Sequence, residues 1–171
     1  DEGTQMATRY ESITPKHSAL IQSAPLFFIA TAHPAVENGP LGEGAVNLSP
    51  KGDTRLVVID PKTVAYLDFT GSGNQTALHI AAGSDVTVMV CSFEQQNAGI
   101  VRLFGSGRVL EIENYPRRDL LTGDSAGEIA LPERQVIEIS VDSTMTSCGY
   151  GVPVSEGFRP RTVSDRGRAY K

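Results

Sequence analysis

Two short segments carry the residue types of an anion-binding pocket. Thr70-Gly71-Ser72-Gly73-Asn74 is a glycine-rich polar loop that runs into a helix-forming stretch, Gln75 to Ala82. Small side chains let a phosphate approach, and backbone N–H groups at a helix start converge on one spot. Ser72, Asn74 and Thr76 add side-chain hydrogen bonds. No Gly-Lys-Ser or Gly-Lys-Thr follows, and the spacing is not GxGxxG, so neither common nucleotide loop is present. Alone, the loop reads as a surface turn with a helix cap. The second segment is Val46 to Gly52, VNLSPKG. Asn47 and Ser49 alternate with Val46 and Leu48, so the two polar residues share one face of a strand end. Lys51 then supplies a cation. Amide, hydroxyl and ammonium together suit a phosphate or the polar edge of a ring. Alone, the segment reads as an exposed strand face followed by a solvated turn lysine.

Further along, Arg102 interrupts the apolar run IVRLFGSGRV. An arginine there must be paired, turned to solvent or used to hold an anion or a polar ring edge, since a bare buried charge is costly. Arg108 has the same strand parity, if no bulge intervenes, and reads as structural. In Ser147 to Pro153, SCGYGVP, two glycines bracket Tyr150 and allow backbone to come close to a ligand; the alternative is a strand-ending loop. Cys148 lies in the same stretch, but no histidine or asparagine can be placed beside it to make it a nucleophile. His17, His33 and His79 form no metal-ligand spacing with the cysteines. His79 lies on the helix after the glycine loop, within reach of a phosphate or satisfied inside the fold. Cys91 closes an apolar run and reads as a buried core thiol.

The elements that must position these residues are mostly strands. Residues 1–9 read as a loose tail. Tyr10 to Ser23 has helical spacing, with Ser12 or Thr14 as cap and Pro15 tolerated in the first turn. Strands are expected at Leu26–Ala32, Glu43–Leu48, Arg55–Ile59, Thr63–Phe69, Asp85–Phe93, Gly99–Ile112 and Gln135–Thr144. Residues 34–42 read as a loop and Pro50 to Asp53 as a turn. Gly83 ends the helix after the glycine loop. Gly105 and Gly107 mark a bulge or tight bend. Tyr115 to Leu121 reads as a short helix. Without regular βαβ alternation a doubly wound sheet is not expected, and a mainly antiparallel barrel with appended helices is.

The whole chain sets the bounds. Its 171 residues, 40% hydrophobic and 20% charged, suit one domain with a real core. A net charge of −5 gives no basic bias toward nucleic acid or anionic lipid. No apolar run approaches the ~20 residues of a membrane span. The acidic, polar start is unlike a signal peptide, and Met6 is a candidate initiator. Two cysteines do not make a disulfide-built domain. The expected setting is cytoplasmic.

In order and spacing, LFFIATA, VNLSPKG, VAYLDFTGSGNQTALHIAAG, VTVMVCSF, VRLFGSGRV and SCGYGVP resemble the pyridoxamine-5′-phosphate-oxidase-related proteins, over roughly Ser12 to Val154. The resemblance implies a mainly β, six-stranded antiparallel split barrel spanning residues 10–154, with a polar, arginine-rich tail at 155–171. It also implies a homodimer with flavin mononucleotide (FMN) at the interface. The phosphate would sit near Lys51, Ser72 and Asn74, with Thr76 and His79 as helpers. The isoalloxazine would lie along Asn47, Leu48 and Ser49, approached by Arg102. Cys148 and Tyr150 are the substrate-side candidates.

The chain departs from true pyridoxamine phosphate oxidases. Ser72-Gly73-Asn74 replaces their basic SRK-type segment, and the Trp-containing C-terminal segment is missing, which argues against vitamin B6 oxidation. The implied function is an FMN-dependent oxidoreductase acting on a small-molecule redox substrate. The alternatives are an F420-dependent reductase, a non-catalytic flavin- or haem-binding module, or a barrel without cofactor.

Overall fold

The computed structural model describes residues 7–35, 45–121, 131–162 and 165. The strands are β1 (Ala7–Tyr10), β2 (Phe27–Ala32), β3 (Val46–Lys51), β4 (Val57–Asp60), β5 (Thr63–Phe69), β6 (Asp85–Cys91), β7 (Ile100–Leu110) and β8 (Glu133–Ser147). The helices are α1 (Pro15–Ser23), α2 (Gln75–Ala81) and α3 (Arg118–Leu121), and a 3-10 turn covers Ile112–Asn114. All pairings are antiparallel, in the order β3-β2-β6-β7-β8-β5-β4, with β1 added on β8.

The mainly β, antiparallel architecture with short helices is the expected one. Among the described residues the sheet has eight strands, where six were expected. Ala7 to Arg9, expected in a tail, pair with β8 because its end extends three residues past the expected Thr144 and offers a free edge. Pro50 and Lys51, expected in a turn, are the last residues of β3. Proline is tolerated there because β3 ends the sheet and pairs only with β2. Helix α1 starts later than expected, at Pro15, behind a capping box: the Thr14 hydroxyl accepts from the His17 N–H and His17 Nδ1 accepts from the Thr14 N–H. The expected helix at Tyr115 to Leu121 forms only as the single turn α3. Within the expected loop 34–42, residues 36–42 lie outside the described residues, as do Met6, Glu43 and the tail's Arg166, Arg168 and Lys171.

The long strands β7 and β8 bend the sheet until its two ends meet. Phe27 of β2 and Tyr66 of β5, at opposite sides of the strand order, pack edge-to-face with centroids 5.1 Å apart. The interior this encloses is lined by Ile29, Val64, Tyr66, Val88, Leu103, Ile137 and Ile139, all essentially inaccessible. Burying each such side chain contributes about 1.5–3 kcal/mol. A bulge between β7 and β8 allows the bend: Phe104 faces Ser143 but Gly105 faces Val141. A Cβ on Gly105 would stand 1.8 Å from the Ser140 carbonyl oxygen, so only glycine fits. Helix α2 closes one end, its Ile80 seated over Gly107. A smaller cluster, Ala65, Leu67, Tyr115, Leu121 and Val136, forms on the other face of β5 and β8. Among the described residues no helix is long and apolar enough to cross a membrane.

Candidate functional site

Strand alternation divides β3 cleanly. Val46, Leu48 and Pro50 point out, Val46 and Leu48 at 70% and 66% exposure, while Asn47, Ser49 and Lys51 are half-buried. The second set faces inward because each lies opposite a buried β2 residue: Thr31, Ile29 and Phe27. The glycine loop and α2 come down along this inner face, making a polar seam where the two ends of the sheet meet.

At one end of the seam, Asn47 Nδ2 donates to Thr76 Oγ1 at 3.0 Å and to Thr31 Oγ1 at 3.4 Å. Thr31 Oγ1 and His79 Nδ1 lie 3.0 Å apart. His79 is 1% exposed, with its ring edge-on to His33, and its Nε2 has no hydrogen-bond partner. His79 therefore stands behind the seam and reaches it through Thr31. At the other end, Lys51 Nζ donates to Asp68 Oδ1 at 3.1 Å. Asp68 Oδ2 accepts from Arg134 Nε at 3.1 Å, Arg134 Nη2 at 2.8 Å and Gln135 Nε2 at 2.9 Å. Arg134 Nη1 also donates to the Gly73 carbonyl at 3.1 Å, and Gln135 Nε2 to Asn74 Oδ1 at 2.8 Å. Burial alone would raise the Asp68 pKa; Lys51, Arg134 and Gln135 outweigh it and hold the carboxyl below the ordinary carboxylate range. The Tyr66 hydroxyl, buried beneath, has no hydrogen-bond partner, and burial followed by the Asp68 charge pushes its pKa up.

Arg134 and Asp68 are the residues sequence reading missed. The strand was expected to begin at Gln135, which left Arg134 outside it. In the structure Phe69 faces Glu133 and Asp68 faces Gln135, so Arg134 is the extra residue of a bulge. A bulge re-aims its residue, and here it turns the guanidinium onto Asp68 and the glycine loop. The legible signal was the Arg134-Gln135 pair before an alternating run, which by itself names no partner.

The seam gathers Asn47, Lys51, Asn74, Thr76 and, behind them, His79, with Ser49 on the same strand face. Ser72 is exposed on the loop. Leu48 points to the opposite, outer face. Arg102 is also on the outer face, donating to Ser147 Oγ at 3.2 Å, so a single chain does not bring it to the loop. Cys148 is exposed and Tyr150 is 88% exposed, beyond the far end of β8 from Arg134. Cys91 is buried, as expected, and burial pushes its thiol pKa up. Arg108 is structural: it pairs with Glu138, which also accepts from Tyr115 Oη at 2.9 Å. Burial and the Glu138 bond push Tyr115 up to about 12. That pair borders a separate groove of about 620 Å³ on the far side of β7 and β8. No group of three or more potential metal ligands occurs among the described residues.

Two cations on one carboxylate leave the seam net positive. The space above Gly71 is open, since a Cβ there would meet nothing within 4 Å. Lys51 and Arg134 are partly accessible, with side chains 18% and 22% exposed. This donor set fits a phosphate group, and the inner face of β3 offers amide and hydroxyl groups to a polar ring.

A curled antiparallel sheet with a polar seam between its ends defines a split β-barrel. Residues 13–148 match the family model described as pyridoxamine 5′-phosphate oxidase, and the chain belongs to that family. It is 35% identical over 147 residues to the pyridoxamine 5′-phosphate oxidase family protein ustO of Aspergillus flavus. That match takes in 85% of this chain and 55% of the relative, so the chain spans about half of the relative's length. The fold is similar to that of a HupZ variant from Group A Streptococcus (TM-score 0.57, 19% identity, 78% of this chain and 98% of that one). It is also similar to that of a FAD-binding protein from Mesorhizobium loti (TM-score 0.53, 13% identity, 84% and 99%).

Proposed function

We propose that this protein is an FMN-dependent oxidoreductase that acts on a small-molecule redox substrate as a homodimer. The observation that carries the reading is the seam itself. It joins a glycine-rich loop, two partly accessible cations and an inward polar strand face within one family whose name denotes an oxidase. The FAD-binding protein of the same fold supports a flavin as the ligand. Lys51 would hold the phosphate with Ser72 and Asn74 on the loop, Thr76 assisting. Asn47 and Ser49 would face the ring edge, and Thr31 and His79 fix the Asn47 amide. Bound there, FMN supplies hydride or single-electron transfer. The residues of this chain orient it and set its electrostatics.

The outer sheet face supports a second copy as partner. Pro50, Phe28, Met89, Arg102, Met145 and Arg9 form one continuous cross-strand row, with Leu48 and Val46 beside it. Exposed apolar surface of this kind marks association sites. Arg102 would then reach a ligand only across that interface. Two unpaired cysteines fit a reducing, cytoplasmic compartment.

Ser72→Asp tests the site, because it sets a carboxylate on the loop against the phosphate. The variant is expected to keep the fold, read by circular dichroism, and lose FMN, read by fluorescence of the flavin released on denaturation. Unchanged flavin occupancy would remove the loop from the site.

A further inference from the structure

We propose that Arg134, delivered by the β8 bulge, is the residue that makes this site select a phosphorylated ligand over its unphosphorylated counterpart. This rests on the seam being the flavin site and names the residue that reads the ligand's charge. The loop itself carries no cation: Thr70, Gly71, Ser72, Gly73 and Asn74 are all neutral. The nearest guanidinium is brought from a strand more than sixty positions away in sequence, as the bond from Arg134 to Gly73 shows.

Arg134 is also held still. Its Nε and Nη2 grip one oxygen of Asp68 and its Nη1 is fixed on the loop backbone. These contacts leave N–H donors of the guanidinium free, and Lys51 likewise spends one donor on Asp68. Asp68 is thus a positioning residue. It aligns two cations while cancelling one charge, so an incoming phosphate meets a prepared, net positive pair. The fork geometry of arginine suits a phosphate better than a point charge does.

The test compares affinities for FMN, riboflavin and inorganic phosphate in the wild type, Arg134→Gln and the double variant Asp68→Asn/Arg134→Gln. The double variant keeps the wild-type net charge, with Lys51 alone, and strands no buried carboxylate, so it guards against a fold defect in the single variant. The wild type is expected to prefer FMN to riboflavin. In both variants FMN affinity is expected to fall about tenfold or more while riboflavin affinity holds. Thermal stabilisation by inorganic phosphate, at matched ionic strength, is expected in the wild type and lost in both variants. A double variant that keeps the wild-type FMN preference and phosphate response overturns the role of Arg134. A wild type that binds neither flavin but shows the Arg134-dependent phosphate response leaves Arg134 as an anion site and defeats the flavin reading instead.

Discussion

Asp68 has a side chain only 6% exposed and makes bonds to three neighbours, so its ionisation is tied to folding. Its folded pKa lies below the ordinary value. The stability it contributes is therefore present above the unfolded pKa, near ~4, and is lost as pH falls through the folded pKa. Removing one partner of a buried ion pair costs about 3–5 kcal/mol. Asp68→Asn leaves Lys51 and Arg134 partly reachable by water, so it is expected to lower stability by less, about 1–3 kcal/mol at neutral pH, and urea titrations should show the gap from wild type closing below about pH 4. A gap independent of pH would mean that the carboxylate charge is not what binds the seam together. At this scale the sequence revealed Asn47, Lys51, Asn74 and Thr76, because polar residues in a strand end and beside glycines announce themselves. It hid Asp68 and Arg134. Asp68 sits in the apolar run VAYLDF, and Arg134 gains its role from a partner on another strand.

Among the elements, the bulge between β7 and β8 bends the sheet, and Gly105 makes it possible. The two glycines in GSG were legible as a bend, though the partner strand that demands it was not. Gly105→Ala forces a Cβ onto the Ser140 carbonyl, where backbone has to move, so a loss of about 1–3 kcal/mol or more is expected. Gly71→Ala, in open space, is expected to change stability by about 0.5 kcal/mol or less. Equal melting temperatures for the two variants would contradict the close approach at Gly105. The β8 extension beyond Thr144 escaped prediction because STMTS is polar and breaks the apolar alternation. It stays in the sheet because both β7 and β1 pair with it.

For the whole molecule, the mainly antiparallel architecture could be read from turn spacing and strand alternation. A closed barrel was expected as well, but which residues meet where it closes was not legible, because the Phe27–Tyr66 contact and the Lys51–Asp68 pair join residues with no local signal for each other. The outer row through Phe28, Met89 and Met145 has the apolar character of an interface, and Leu48 stands at its edge at 66% exposure. Leu48→Asp is expected to shift the protein from dimer to monomer in light scattering, with the fold kept. A wild type that is monomeric at micromolar concentration would remove the dimer from the account.

The central claim is that the seam holds FMN, and the most direct measurement is the visible absorption spectrum of the purified protein with and without added FMN. The account predicts a flavin band shifted or sharpened relative to free FMN, saturating at one FMN per chain. A spectrum equal to the sum of free FMN and colourless protein would contradict it.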